Sequence, residues 1–176
     1  MCTLHSPAYR GRSRNKGAGM KTCEEAALRK LAVRSLSVQE LRCFLRRKGY
    51  GTDETEKAIE ECISYGYLDD RSFAREYFLC ALRKNKGEHL ISSELGQKGI
   101  DSDVLSEVYE ELKEKGEIEL DEFARAKAEA EKVLRIAEIP DGNAVPAKIK
   151  ARIARRLERY GYPASIIYSV LEDLDQ

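Results

Sequence analysis

The chain has 176 residues, of which 35% are charged and 7% aromatic, and its formal net charge is zero. The apolar content is too high for a disordered chain. The neutral balance argues against a protein that binds nucleic acid through bulk positive charge alone. We therefore expect one domain or an array of small units.

The cysteines and the hydropathy pattern indicate a reducing, aqueous compartment. None of the five cysteines forms a C-x-x-C pair, and no apolar stretch approaches the roughly 20 residues that span a bilayer. We expect a cytoplasmic protein without a membrane partner, in which Cys43 and Cys62 are small core residues.

A spaced pattern occurs three times and predicts a tandem repeat. Each copy reads apolar, three residues, Leu, three residues, Gly, then Tyr or Ile. The copies are Leu41-Leu45-Gly49-Tyr50, Ile91-Leu95-Gly99-Ile100 and Ile153-Leu157-Gly161-Tyr162. The two apolar positions share a helix face, and the Gly fits a left-handed helix end. We expect units that need their neighbours to bury their apolar faces.

The chain begins with a segment, residues 1–22, that carries five basic residues and no acid. We expect a flexible basic tail. The first three-helix repeat follows at 23–66, with helices predicted over about 24–36, 37–48 and 53–64. Ser37 and Glu40 form a capping box for the second helix, and Thr52 or Asp53 can cap the third.

The second repeat is predicted at 67–116. Asp69 or Asp70 can cap a helix that runs to about Lys84, and Gly87 ends this segment. Two more helices are predicted, one to Lys98 and one from the cap Asp101 to about Lys115. The first helix has an apolar face and further apolar residues outside it, so we expect it to lie at the junction between repeats. The predicted face consists of Phe73, Ala74, Tyr77, Cys80 and Ala81.

The third repeat is predicted at 117–176. A first helix runs from near Asp121 to about Ala137, and the turn residues at 139–143 end it. Pro146 suits the first turn of the next helix. Gly161 and Pro163 separate that helix from the last one. The predicted fold is thus all-α, with tandem three-helix repeats that form an elongated, curved array.

Residue patterns typical of catalysis are missing from the sequence. It has no Walker A loop or dinucleotide fingerprint, and His89 has no Cys or His at ligand spacing. The adjacent Asp69 and Asp70 are better explained as helix caps than as an acid/base pair. We predict a protein that is not an enzyme and that uses no cofactor or metal.

The strongest functional signal is a run of basic residues in the third repeat. Residues 146–160 hold six basic residues and one acid. Lys148, Arg152, Arg155 and Arg159 are spaced i, i+4, i+7, i+11, which puts them within roughly 60° of one another on a helix. A stripe of this kind is typical of a surface that meets a polyanion or an acidic protein. The alternative is an ordinary solvated helix face. Arg71 and Arg75 form a smaller basic pair, followed by Lys84 and Lys86.

Three stretches together resemble the RecX family of RecA regulators. They are residues 67–74 (Tyr-Leu-Asp-Asp-Arg-Ser-Phe-Ala), Gly87–Ile91 with Glu94-Leu95 and Lys98-Gly99-Ile100, and Lys148–Tyr162. The resemblance covers about residues 24–174. In one departure, Glu88, His89 and Leu90 stand where the family usually has basic residues.

The resemblance implies tandem three-helix units and a protein that lies in the groove of a RecA filament on single-stranded DNA. There it would inhibit ATP hydrolysis, strand exchange and repressor cleavage, and we expect it to act as a monomer. The alternative is a helical protein that binds nucleic acid directly, without RecA. The predicted partner- or DNA-binding residues are Arg71, Arg75, Lys84, Lys86, Lys98, Lys148, Arg152, Arg155, Arg156 and Arg159.

Overall fold

The computed structural model describes residues 22–116, 121–138 and 144–174, and within these ranges it contains nine helices and no strand. The helices are α1 Cys23–Leu31, α2 Val38–Arg47, α3 Thr52–Ser64, α4 Asp70–Leu82, α5 Glu88–Gln97, α6 Ser102–Glu114, α7 Glu122–Ile136, α8 Ala147–Arg159 and α9 Ala164–Asp173. The predicted all-α tandem-repeat fold is confirmed. The predicted basic tail, except for Thr22, and the turn at 139–143 lie outside the described residues.

Each group of three helices encloses its own hydrophobic core. The cores are built around the repeated apolar pairs, which are Leu41 with Leu45, Ile91 with Leu95, and Ile153 with Leu157, all fully buried. The helix contacts are α1, α2 and α3 with one another, then α4 to α6, then α7 to α9. We call these groups units 1, 2 and 3. The expectation that a unit buries its apolar face against its neighbours is therefore wrong for the main cores.

The glycine that follows each apolar pair ends the middle helix of its unit, as predicted. Gly49, Gly99 and Gly161 have φ values of +90°, +82° and +82°. In each unit the residue after the Gly donates its backbone N–H to the carbonyl of the second apolar residue, as Tyr162 does to Leu157 at 3.1 Å. This left-handed position is costly for any residue with a Cβ.

Consecutive units meet through helix ends and polar contacts, with the same arrangement at both junctions. Ser37 Oγ, at the start of α2, donates to the carbonyl of Lys98 at 2.6 Å. One junction later, the backbone N–H of Gly87, at the start of α5, donates to the carbonyl of Tyr160 at 2.8 Å. In both cases the acceptor immediately precedes the left-handed Gly of the next unit. The repeat therefore extends to the way in which units are joined.

Several predicted details differ from the structure. Helix α1 ends at Leu31 and not near 36, because the chain turns there and carries Leu36 into the core of unit 1. Gly51 occupies the N-cap of α3 in place of Thr52 or Asp53, without a side-chain cap. Cys43 is exposed, because it lies between Leu41 and Leu45 and points away from their face.

Helix α4 buries three of the five residues of its predicted face together with Phe78, and buries them in unit 2 itself. Phe73, Ala74, Phe78 and Ala81 are buried, and the Phe78 ring meets Tyr109 of α6 edge-on at 5.8 Å. Cys80 is exposed. Because α6 packs along the Phe78 side of α4, the buried face is rotated away from Cys80.

The two aspartates before α4 have separate roles. Asp69 is the N-cap and accepts from the backbone of Arg71 at 3.0 Å. Asp70 reaches into unit 1 and accepts from the backbone N–H of Val38 at 2.8 Å. Burial raises the pKa of Asp70, although the hydrogen bond from Val38 opposes that rise. Capping therefore accounts for both carboxylates, one within its own unit and one across a junction.

Candidate polyanion-binding surface

The basic stripe, defined as Lys148, Arg152, Arg155 and Arg159, lies on the exposed side of α8. Ile153 and Leu157 on the opposite side are fully buried and fix the rotation of the helix. All four basic side chains are exposed. Among the described residues none of the four has a hydrogen bond or an ion pair with another side chain. The stripe is therefore a row of cations that the described part of the fold does not neutralise.

The stripe is unfavourable for the helix on its own. Like charges three and four residues apart repel one another, and the positive end of the helix dipole disfavours a cation at Lys148. Helix α8 has no acidic residue in its first turn. Helix stability therefore does not explain the stripe, and a binding partner of opposite charge would.

Arg156, a neighbour of the stripe in sequence, lies elsewhere in the structure. Its Nε donates to Glu129 of α7 at 2.9 Å, and its guanidinium stacks over the Tyr160 ring at 5.0 Å from the ring centre. Arg156 thus attaches α8 to α7. This internal contact sets Arg156 apart from the four cations of the stripe, and partner binding by Arg156 stays a prediction.

Glu129 is a buried carboxylate, 1% exposed, at the junction of units 2 and 3. It accepts hydrogen bonds from Arg156, from Lys132 and, at 3.2 Å, from Asn85 of unit 2. Burial opposes its ionisation, but these three donors outweigh burial and hold the pKa of Glu129 below its usual value. The carbonyl of Asn85 accepts from the hydroxyl of Tyr162 at 2.7 Å. These contacts set the position of the stripe relative to unit 2.

Three predicted cations of unit 2 are engaged in ion pairs within the chain. Lys98 contacts Glu40 of unit 1 at 2.8 Å, and Lys86 contacts Glu94 at 2.6 Å. Each lysine side chain is about one quarter exposed. Arg71 pairs with Glu107 and Glu111 of α6. These three cations are therefore paired within the chain, and their binding to a partner stays a prediction.

Arg71 lies at one end of a surface charge network on α6. Lys115 and then Arg71 hold the pKa of Glu111 down to about 2. Of the remaining predicted residues in unit 2, Arg75 is half-buried on α4 and Lys84 is exposed beyond the end of that helix. Binding by Arg75, by Lys84 and by the four residues of the stripe stays a prediction.

Sequence reasoning missed the residues that join units 2 and 3. A signal for Glu129 was present, since it interrupts the apolar positions Ala126, Ala130 and Val133, and a buried carboxylate requires partners. Asn85 adopts φ +54°, a conformation in which Asn is enriched. Its partners lie far away in sequence, so the pattern alone could not supply them.

Within the described ranges, no group of His, Cys, Asp and Glu side chains is arranged to hold a metal ion. No described helix is both long enough and apolar enough to cross a membrane.

These features define a helical-repeat protein in which three small units each carry a core, and the last presents a row of cations that have no partner among the described residues. The chain belongs to the RecX family. It is 31% identical over 152 residues to the regulatory protein RecX of Trichlorobacter lovleyi, covering 85% of this chain and 94% of that protein. It is 29% identical over 157 residues to the regulatory protein RecX of Mycolicibacterium smegmatis, covering 86% and 80% of the two chains.

Two further comparisons support the fold. The family profile described as RecX, first three-helix domain, matches residues 23–62. The crystal structure of RecX from Lactobacillus salivarius superposes with a TM-score of 0.63 at 21% identity, covering 87% of this chain and 94% of that one. The relatives are named regulatory proteins, not enzymes.

Proposed function

We propose that this protein docks on RecA filaments assembled on single-stranded DNA and inhibits their recombinase, ATPase and co-protease activities. The observation that carries the proposal is the basic stripe of α8, whose four exposed cations lack partners among the described residues. Membership of the RecX family supplies the partner, since the family comprises regulators of RecA.

A tandem array of units suits a filament. The three units are joined at equivalent positions, and repeat proteins use successive units to bind extended partners. The stripe repeats a cation every three or four residues, about 4.5–6 Å along the helix axis. A spacing of this order suits a run of phosphates or an acidic protein face.

The experiment is a measurement of DNA-dependent ATP hydrolysis by RecA from the same source, with increasing amounts of this protein. We expect the rate to fall with dose, and we expect no hydrolysis by this protein alone. An unchanged rate at a large excess would refute the proposal.

Binding to bare single-stranded DNA tests the second candidate, a nucleic-acid-binding protein that acts without RecA. The stripe itself favours this candidate, because a row of exposed cations does not by itself require a protein partner. Affinity for RecA filaments well above that for bare DNA would support the regulatory function. Equal affinity for both would favour the alternative.

A further inference from the structure

An apolar groove lies on unit 1, at the opposite end of the chain from the basic stripe. Buried Ala58 and Cys62 form its floor, and the side chains of Leu28, Tyr65 and Tyr67 line it. The groove is open to solvent and has a volume of about 240 Å³. It lies between α1 and the end of α3, and the function proposed above does not use it.

Exposed apolar side chains are concentrated at this groove. Seven large apolar side chains are exposed in the described part of the chain, and three of them line the groove. Tyr65 is 73% exposed, Tyr67 is 61% exposed and Leu28 is 44% exposed. The two tyrosine rings lie 6.2 Å apart. Tyrosines are enriched in protein interfaces because they supply a large contact area with few rotatable bonds.

Two carboxylates, Glu24 and Glu61, border the groove, and no Lys or Arg of the described residues lines it. Neither carboxylate forms an ion pair among the described residues, whereas Glu40, Glu56 and Glu94 are all paired. Glu61 lies in the last turn of α3, where the helix dipole disfavours a negative charge. The stability of α3 therefore does not explain Glu61, just as the stability of α8 does not explain the basic stripe.

We infer that this groove docks a protein segment that presents an apolar or aromatic side chain next to Lys or Arg. The apolar floor accommodates the first group, and Glu24 and Glu61 pair with the second. The same two carboxylates repel phosphate, so the groove does not suit nucleic acid. The inference rests on the proposed function in one respect, which is that the segment belongs to a RecA subunit of the filament.

The array then has two contacts of opposite character. Unit 3 meets the polyanion through its stripe, and unit 1 meets the protein through its groove. Two separate contacts on one chain raise the affinity for a partner that offers both. Bare DNA offers only one of them, which would explain selectivity for the filament.

The test compares three variants of the full chain in binding to RecA filaments on single-stranded DNA and to the same DNA alone. The first carries Tyr65→Ala with Tyr67→Ala, and the second carries Glu24→Gln with Glu61→Gln. The third is the control Tyr168→Ala, which removes an exposed tyrosine, 67% exposed, from unit 3. The altered side chains are at least partly exposed, so circular dichroism should show an unchanged helix content.

We expect the variant with both tyrosines replaced (the tyrosine pair) to bind filaments about tenfold or more weakly than the unaltered chain. The variant with both glutamates replaced should bind them a few fold more weakly. DNA binding should stay unchanged in both, and Tyr168→Ala should match the unaltered chain. If the tyrosine pair and the control bind filaments equally well, the groove is not a docking site. An equal loss of affinity for bare DNA would indicate that the tyrosines stack on DNA bases, and it would overturn the inference.

Sedimentation measured at increasing protein concentration tests whether a second copy of this chain occupies the groove. Self-association that disappears in the tyrosine pair would put that copy in the groove and overturn the inference. Failure of the unaltered chain to bind filaments would refute the proposed function, and this outcome is distinct from the others.

Discussion

Gly161→Ala should destabilise the protein through the junction of units 2 and 3. Gly161 has φ +82°, a conformation that costs a residue with a Cβ about 1–2 kcal/mol. A Cβ there would also overlap the Cβ of Leu90 and would lie 2.6 Å from the backbone nitrogen of Leu90. Overpacking of this kind adds about 1–3 kcal/mol. We therefore expect a total loss of about 2–5 kcal/mol, measured by urea unfolding followed by circular dichroism.

Gly49→Ala is the matched control, because Gly49 occupies the same position in unit 1. Its φ is +90°, but no atom of the described residues lies within 4 Å of the position that a Cβ would take. We expect only the conformational cost of about 1–2 kcal/mol. If Gly161→Ala is no more destabilising than Gly49→Ala, the close contact between the units does not contribute to stability and the described junction is wrong.

Two further predictions concern burial and charge. Leu95→Ala should lower the free energy of unfolding in urea by about 2–5 kcal/mol, because Leu95 is fully buried in unit 2. Arg71→Ala should lower it far less, because exposed ion pairs contribute little. The reverse order would mean that the helix faces are misassigned. Glu129→Gln should remove part of the acid sensitivity of unfolding. The pKa of Glu129 is lowered in the folded state, so its stabilisation is complete above the usual value of 4.5 and is lost as the pH falls through the lower folded value. Equal slopes of stability against pH below 4.5 in Glu129→Gln and the unaltered chain would contradict this reasoning.

Local signals in the sequence were sufficient for the repeat, for the helix caps Ser37, Asp69 and Asp101, and for the exposed face of α8. Apolar pairs such as Ile153 and Leu157, followed by Gly161, fix both the buried side of a helix and its end. Once that side is known, residues at the stripe spacing must lie on the opposite face. This reasoning needs no information from elsewhere in the chain.

Which cations form ion pairs within the chain, and which stay exposed without one among the described residues, could not be predicted. Arg155 and Arg156 are adjacent in sequence, yet only Arg156 meets Glu129, a residue of another helix. Lys98 similarly pairs with Glu40 across a junction, 58 residues away. Such pairs depend on how helices and units are placed, which hydrophobic periodicity does not encode. The groove beside Tyr65 was missed for the same reason, because it forms only when α1 packs on α3.

The central claim is that the basic stripe docks the protein on its partner, and the salt dependence of filament binding tests it most directly. The variant carries Arg152→Ala, Arg155→Ala and Arg159→Ala. A control with Arg47→Ala, Lys57→Ala and Arg135→Ala removes three other exposed cations. If the stripe meets phosphates, its variant should bind more weakly and lose about 0.7–0.9 in the slope of log affinity against log salt for each contact removed. The control should keep the original slope. Equal affinities and slopes for both variants would contradict the claim and leave the stripe as a solvated helix face.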